Sequence, residues 1–381
     1  MICIYCNEQK EEKEFSLEHI FPDALGGALM DDNIFKTRQV CRRCNSISGR
    51  FVDGLFIKSW LSVAARAESS RKYLDLERGS ALPFTYAGRM QGIELEDGMD
   101  CDYWIGPNGD RVYHVHEAYD ERSMTYVSGN PITRKKKPGI AVLFPRNNEQ
   151  KWLQTVFKSF VANFKKAKRY LGTPNDGLGP LLNTVFHEIL SEDRQLVETL
   201  REKMNQEHHV RISMEEGFEQ RFLAKVALGL GFQIFGEKFL NSSYATSLRN
   251  AFWEKDFKER QAKGVIFKSR LRQEDCPSAL KELFWPGAHT IWLIPSGQYL
   301  ILGIFLFGSE FYAVVISDEP EVWRGSELTS GINGFIVVPQ IDKFVGPISS
   351  SEFLAHQHGV ELSDKLKPLD EIRQHLDQQV T

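Results

Sequence analysis

The stretch that decides the fold lies at the start of the chain, in the segments ICIYC (residues 2–6), SLEHIFPDALGG (16–27), DDNIF (31–35) and VCRRCNSISGRFVD (40–53). Two Cys-x-x-Cys pairs, Cys3/Cys6 and Cys41/Cys44, flank a Glu-His dipeptide. Each pair places two thiolates at one tight turn, and two such turns complete the four-thiolate tetrahedron of a zinc site. Free or redox-active cysteines are the alternative interpretation of these pairs.

Four thiolates leave no open position on the ion, so we expect a structural Zn2+ at these cysteines. A module of about 50 residues buries little apolar surface, and a bound metal would contribute to its folding free energy. The two other cysteines, Cys101 and Cys276, stand far apart in the sequence. This pattern favours a metal site in a reducing compartment over a disulfide framework, and we therefore expect a cytoplasmic protein.

The residues between and after the cysteine pairs occur in a specific order. Glu18-His19-Ile20-Phe21-Pro22 is followed by Gly26-Gly27, by Asn33, and by Asn45 directly after Cys44. This order resembles the HNH (ββα-metal) endonuclease superfamily, in its zinc-knuckle branch. The resemblance covers about residues 1–53 and implies a small ββα module that hydrolyses phosphodiester bonds.

The resemblance also implies a role for each polar residue. His19 would be the general base, since a neutral imidazole can take a proton from water at neutral pH. Glu18 and Asn45 would ligate a catalytic divalent cation, Mg2+ or Mn2+, because oxygen ligands suit hard cations. Asn33 would orient the His19 ring through a hydrogen bond. Asp53 is expected to be either a further ligand or a solvated or capping residue.

The remainder of the chain is predicted to be a larger mixed α+β region with an antiparallel β-rich C-terminal half, so the fold class is α+β. We expect an N-terminal module over 1–55, a linking helix over 56–79, and a region 80–381 that divides into 80–285 and 286–381. A helix is expected from Asn45 to about Ala67, and the clearest helical pattern covers 147–171. Asn108-Gly109 predicts a hairpin turn. His114 and His116 share a face of a predicted strand and are expected at the surface, with a metal-binding pair as the alternative.

One apolar stretch, Tyr299–Ser317, is about as long as a membrane-spanning helix. It is interrupted by Gly308-Ser309-Glu310 and is rich in β-branched and aromatic residues, whereas a spanning helix needs about 20 consecutive apolar residues. We expect strands of an antiparallel meander there, and no membrane partner.

The net charge of -4 excludes a uniformly basic nucleic-acid-binding protein. The segment 134–170 is nevertheless strongly basic, with Glu149 as its one acidic residue. Such a segment is typical of a surface that contacts phosphates, although a solvated helix face is the alternative. The residues expected to bind nucleic acid are Lys135, Lys136, Lys137, Lys158, Lys165, Lys166, Lys168 and Arg169.

The sequence therefore predicts a metal-dependent HNH endonuclease that acts on DNA, with RNA not excluded. A restriction or anti-phage defence role is a hypothesis that rests on the resemblance alone. A region of this size could restrain the nuclease until an activating ligand or protein binds. The alternative function is a non-catalytic zinc-dependent nucleic-acid-binding protein in which the Glu-His dipeptide is incidental. The sequence gives no indication of the oligomeric state.

Overall fold

The computed structural model describes residues 1–29, 33–75, 81–106, 108–119, 134–147, 149–179, 186–211 and 217–380. These residues form a two-stranded hairpin, two six-stranded sheets and the helices that pack on them. The mixed α+β fold class is confirmed, and so is the antiparallel, β-rich C-terminal half.

The strands are β1 (Phe15–His19), β2 (Lys36–Cys41), β3 (Thr85–Met90), β4 (Met99–Ile105), β5 (Arg111–Glu117), β6 (Gly139–Phe144), β7 (Arg169–Leu171), β8 (Val210–Arg211), β9 (Phe267–Arg272), β10 (His289–Ser296), β11 (Tyr299–Leu306), β12 (Glu310–Ser317), β13 (Asn333–Val338) and β14 (Lys343–Ser349). The helices are α1 (Arg42–Ser48), α2 (Gly54–Ile57), α3 (Trp60–Lys72), α4 (Gln150–Asn163), α5 (Ser191–Met204), α6 (Phe218–Phe235), α7 (Glu237–Leu240), α8 (Ser243–Trp253), α9 (Phe257–Gln261), α10 (Ser278–Lys281), α11 (Pro320–Trp323), α12 (Ser350–Gln357) and α13 (Lys367–Val380).

The chain folds into two compact units, and each unit is discontinuous in sequence. Unit 1 contains Met1–Ile57 and Glu216–His375, and unit 2 contains Lys58–Glu215 and Leu376–Thr381. This division differs from the consecutive ranges predicted from the sequence, because residues 1–57 share one core with residues 216–375. The predicted boundary at 285/286 falls inside unit 1.

The sheet of unit 1 has the strand order β14-β13-β10-β11-β12-β9, and its described strand pairs are all antiparallel. The predicted meander is confirmed, since β10, β11 and β12 are consecutive neighbours. Tyr299–Ser317 contributes two of these strands. Within the described residues, no helix is both long and apolar enough to cross a bilayer. Helix α6 packs on β12, and every residue of that strand is buried.

Aromatic side chains join the N-terminal segment to the rest of unit 1. Phe56 stacks on Phe222 of α6, with ring centroids 3.9 Å apart and an interplanar angle of 4°. Phe35 packs edge-on against Phe335 of β13 at 5.3 Å. Phe56, Phe222 and Phe35 are fully buried. Burial of large aromatic rings dominates the energetics of a core, so this segment is stabilised by residues that lie more than 150 positions later in the chain.

The predicted continuous helix over 45–67 is wrong. Helix α1 runs into one wide π-helical turn at Gly49–Asp53 and then into α2, which ends at Ile57. A separate helix, α3, begins at Trp60. Ser59 has an extended backbone and caps α3, because its hydroxyl accepts a hydrogen bond from the Ser62 amide at 3.3 Å.

Unit 2 has a sheet of order β7-β6-β5-β4-β3-β8. The predicted hairpin around Asn108-Gly109 is confirmed as the β4–β5 connection, with Gly109 at a φ of 81°. The helix predicted over 147–171 is too long, because α4 ends at Asn163 and residues 169–171 form β7. Tyr170 pairs there with Ala141 in the parallel β6–β7 ladder.

The expected surface position of His114 and His116 is wrong. Both lie on β5, between β4 and β6 in the sheet, and both are fully buried. The His116 imidazole is hydrogen-bonded to Asp102 at 3.0 Å, and Asp102 is also ion-paired with the buried Arg134. Strand alternation correctly places the two histidines on one face, but that face is covered in the folded protein.

Candidate metal and catalytic site

The four cysteines of the N-terminal segment come together at one point. Cys3 and Cys6 lie in the turn that precedes β1, Cys41 ends β2, and Cys44 lies in the first turn of α1. The four sulfur atoms all lie within 4.8 Å of one another, and the Cys41 amide donates to Cys3 Sγ at 3.3 Å. Thiolates this close fit the edges of a tetrahedron around zinc, whose Zn–S bonds measure about 2.3 Å.

The thiols also differ in their readiness to ionise. A hydrogen bond with Cys44 lowers the pKa of Cys3 to about 5. The same contact and burial raise the pKa of Cys44 well above its usual value, and burial raises the pKa of Cys6 to about 11. Four cysteines without a cation therefore hold few negative charges, whereas a divalent cation would favour the thiolate form at all four. The residues fit a structural zinc ion.

Glu18 and His19 are the last two residues of β1, which pairs with β2 in an antiparallel hairpin. In the ladder, Glu18 pairs with Thr37 and His19 pairs with Lys36. Glu18 is buried and His19 is half-buried, since neighbouring residues of a strand face opposite sides. Helix α1 is hydrogen-bonded to β1 through Asn45. The Asn45 amide nitrogen donates to the Ser16 hydroxyl at 3.0 Å and to the Leu17 carbonyl oxygen at 2.7 Å.

Asn33 braces the loop between the two strands. Its amide nitrogen donates to the carbonyl oxygens of Gly27 at 3.1 Å and Leu29 at 2.6 Å, and its Oδ1 accepts from the Phe35 amide at 2.9 Å. These three bonds join the middle of the loop to its C-terminal end. The hydrogen bond to the His19 ring that was expected from the sequence stays a prediction.

A lysine from helix α6 reaches the buried side of β1. The Lys225 ammonium lies 2.8 Å from Glu18 Oε1, 3.0 Å from Asp53 Oδ2 and 2.7 Å from the carbonyl oxygen of His19. The Tyr5 hydroxyl donates to Glu18 Oε1 at 3.1 Å. We refer to Glu18, Asp53, Lys225 and Tyr5 as the Lys225 cluster. Sequence analysis missed Lys225, and its one signal was a lysine inside an apolar helix, FLAKVALGLG.

Charge and burial set the ionisation within this cluster. Burial lowers the pKa of Lys225, but the carboxylates of Asp53 and Glu18 outweigh burial and raise it above its usual value. Burial, together with the charge of Glu18, raises the pKa of Asp53 to about 6, against the opposing effect of Lys225. Lys225 is therefore a charged ammonium at neutral pH, and Asp53 is an ionised partner beside it.

Glu18, one of the two residues assigned to a divalent cation, does not fit that ion. Glu18 is 3% exposed, and its Oε1 accepts from both Lys225 and Tyr5. A divalent cation on this carboxylate would lie close to an ammonium of the same sign, inside a protein interior where such repulsion is strong. Asn45 holds β1 through its amide nitrogen, whereas a cation would bind its Oδ1. No catalytic step is therefore assigned to a metal ion on Glu18.

The basic residues predicted to bind nucleic acid fall into two groups. Lys135 is held inside unit 2, where it donates to Asn163 at 2.6 Å and lies over the Trp104 ring, and burial lowers its pKa to about 8. Arg169 is paired with Asp193 at 2.6 Å. Lys137 is half-buried and lies over the Tyr119 ring. The exposed members are Lys136, Lys158, Lys165, Lys166 and Lys168.

A second basic segment, which sequence analysis missed, belongs to the N-terminal module itself. Residues 34–52 contain Lys36 and four exposed arginines and no acidic residue. The exposed arginines are Arg38, Arg42, Arg43 and Arg50. Phe51 follows directly and is 52% exposed. A count of charges in short windows along the module would have found this segment, because the acidic residues of the module lie outside residues 34–52.

Residues 3–61 match a family model described as HNH endonuclease. The matched range contains the four-cysteine cluster together with Glu18, His19, Asn33 and Asn45, so this segment is an HNH module. A comparison with curated proteins and a comparison with solved structures found no match. The match over these residues indicates a nuclease.

Proposed function

We propose that the HNH module of this protein hydrolyses phosphodiester bonds of nucleic acid, with DNA as the substrate and RNA as the alternative. The observation that carries the proposal is the family match over residues 3–61 together with the position of His19. Its half-buried imidazole stands at the end of a strand that is fixed on one side by Asn45 and on the other by Lys225.

In this proposal His19 removes a proton from the attacking water, and its neutral imidazole is the form that accepts it. Asn45 and the Lys225 cluster hold the strand so that the ring keeps one position, which is the condition for efficient proton transfer at a fixed distance. Asn33 gives the loop beside the ring its shape. The expected Mg2+ or Mn2+ ion stays a proposal without an assigned ligand set.

The module's own basic segment supports nucleic acid as the substrate. Four exposed arginines can contact phosphates, and the exposed Phe51 ring can stack on an unpaired base or pack against sugar. The exposed lysines of residues 134–170 are a second proposed contact surface in unit 2. Regulation by an activating ligand or protein, and a defence role, are further proposals that rest on the family resemblance.

The test is cleavage of a supercoiled plasmid, and separately of single-stranded DNA and RNA, by wild type and by His19→Ala, with Mg2+ and with Mn2+. His358→Ala is the matched control, since His358 is an exposed histidine of the same unit. We expect His19→Ala to lose at least 100-fold in rate, within the usual contribution of general-base catalysis, and His358→Ala to cut like wild type. Equal cleavage by wild type and His19→Ala would refute the proposal.

A second function is favoured by one observation, the neutralisation of Glu18 by Lys225. A module without a free acidic ligand could bind nucleic acid through its zinc-supported surface and not cleave it. Tight binding of DNA by a wild-type protein that cuts nothing with either metal would support this alternative.

A further inference from the structure

Lys225 is a buried lysine whose ammonium group has several hydrogen-bond partners. The side chain is fully buried, and a buried ammonium is tolerated only when it is paired and hydrogen-bonded. Its three donors match three acceptors: Glu18 Oε1 at 2.8 Å, Asp53 Oδ2 at 3.0 Å and the His19 carbonyl oxygen at 2.7 Å. The three acceptors belong to the HNH module, and the donor comes from a helix 206 residues away in sequence from His19.

The same helix also approaches the residue that directly follows β1. Gly229 lies one turn after Lys225 on α6, and a Cβ atom there would stand 2.7 Å from Ile20 Cγ2. The absence of a side chain at Gly229 therefore lets α6 approach Ile20 at van der Waals distance. Lys225 and Gly229 together give α6 direct contact with three consecutive residues of the module, 18–20.

We propose that Lys225 is a positioning residue for His19, and that Glu18 and Asp53 serve as its counter-ions and not as ligands of a divalent cation. The positioning half rests on the proposed nuclease function, whereas the counter-ion half stands on the contacts alone. The ammonium fixes the peptide at His19, and the two carboxylates hold the ammonium. The imidazole on the opposite side of the strand thereby takes its orientation from α6, which belongs to residues 216–375.

The first experiment measures the ion pair without using activity. A double-mutant cycle with Lys225→Met, Glu18→Gln and the double variant is followed by urea unfolding of the full-length, zinc-loaded protein. We expect Lys225→Met to lower the unfolding midpoint strongly, and Glu18→Gln to recover part of that loss when combined with it, because one uncompensated carboxylate has been removed. Lys263→Met with Glu254→Gln is the control pair, since these residues are partly exposed and 3.8 Å apart. Additive effects at Lys225 and Glu18 would overturn the proposal.

The second experiment tests the metal. We expect Glu18→Gln to keep the half-saturating Mg2+ or Mn2+ concentration for plasmid cleavage within about twofold of wild type, even where kcat falls. A rise of tenfold or more would identify Glu18 as a metal ligand and overturn the counter-ion assignment. Lys225→Met is assayed without urea, at a temperature where circular dichroism shows that it is folded. It should lower kcat at least tenfold and leave KM for DNA within about twofold of wild type.

The third experiment keeps the proposal testable if the protein cuts nothing. The His19 imidazole signal is assigned in a histidine-labelled sample by its loss in His19→Ala. We expect this signal to shift and broaden in Lys225→Met and to stay in place in Lys263→Met. An unchanged signal in folded Lys225→Met would refute the positioning role. Absence of wild-type cleavage together with a shifted signal would instead refute the nuclease proposal and leave the contact between α6 and His19 established.

Discussion

The replacement of Phe222 by alanine tests whether the HNH module and residues 216–375 form one cooperative unit. Phe222 is fully buried, stacks on Phe56 at 3.9 Å and lies 6.4 Å from Phe21. A buried Phe→Ala change costs about 3–5 kcal/mol, from lost transfer free energy and from the cavity that remains. The stacked partner places this position toward the upper half of that range, about 4 kcal/mol.

The assay is urea-induced release of zinc, followed with a chelating dye. With a slope of about 3 kcal/mol per molar urea, a loss of about 4 kcal/mol moves the release midpoint down by roughly 1.3 M. Phe222 touches none of the four cysteines in the described contacts, so an earlier release of zinc can arise only through the shared core. Phe160→Ala is the matched control, because Phe160 is an equally buried phenylalanine in the core of unit 2.

We expect Phe160→Ala to leave the zinc-release midpoint unchanged. If Phe222→Ala released its zinc at the wild-type urea concentration while the far-ultraviolet circular dichroism signal was lost earlier, the module would be an autonomous domain. Residues 1–57 and 216–375 would then not form one cooperative unit.

Three further outcomes are expected. Cys44→Ser should lose zinc binding and unfold the module, so circular dichroism and metal content should change together, and a well-folded metal-free variant would contradict a structural role for the ion. Arg43→Gln combined with Arg50→Gln should weaken DNA binding and reduce the slope of log affinity against log salt by about 2, and an unchanged slope would point to the lysines of residues 134–170 instead. Burial lowers the pKa of His114 to about 3, so the unfolded chain takes up a proton near pH 6.5 that the folded chain refuses. Stability should therefore fall by about 1.6 kcal/mol between pH 6.5 and pH 5, and urea unfolding of His114→Gln should lack this loss.

The sequence-based predictions were correct where a feature depends on residues that lie close together in the sequence. The zinc cluster and the HNH module were predicted from the sequence because their signals are local: each cysteine pair spans four residues, and the Glu-His dipeptide is contiguous. The hairpin at Asn108-Gly109 was predicted for the same reason, since a turn depends on the few residues that form it.

The errors arose where packing overrides local preference. The pattern that predicts a helix through residue 171 is apolar and well spaced, yet residues 169–171 gain more by pairing with β6 than by extending α4. Likewise, His114 and His116 were expected at the surface because polar residues usually lie there. A strand on either side of β5 and the buried Asp102–Arg134 pair place them in the interior.

The sequence alone determined that the first 53 residues form an HNH module with a four-cysteine cluster, because thiolate spacing and the order Glu-His, Asn, Asn are properties of the chain itself. Only the tertiary structure decided which cation Glu18 pairs with. Its partner, Lys225, comes from a helix of the distant C-terminal region, and no local pattern relates the two positions. A buried carboxylate needs a cationic partner, and the tertiary fold determines which one lies beside it. In this protein the Lys225 ammonium lies 2.8 Å from Glu18 Oε1.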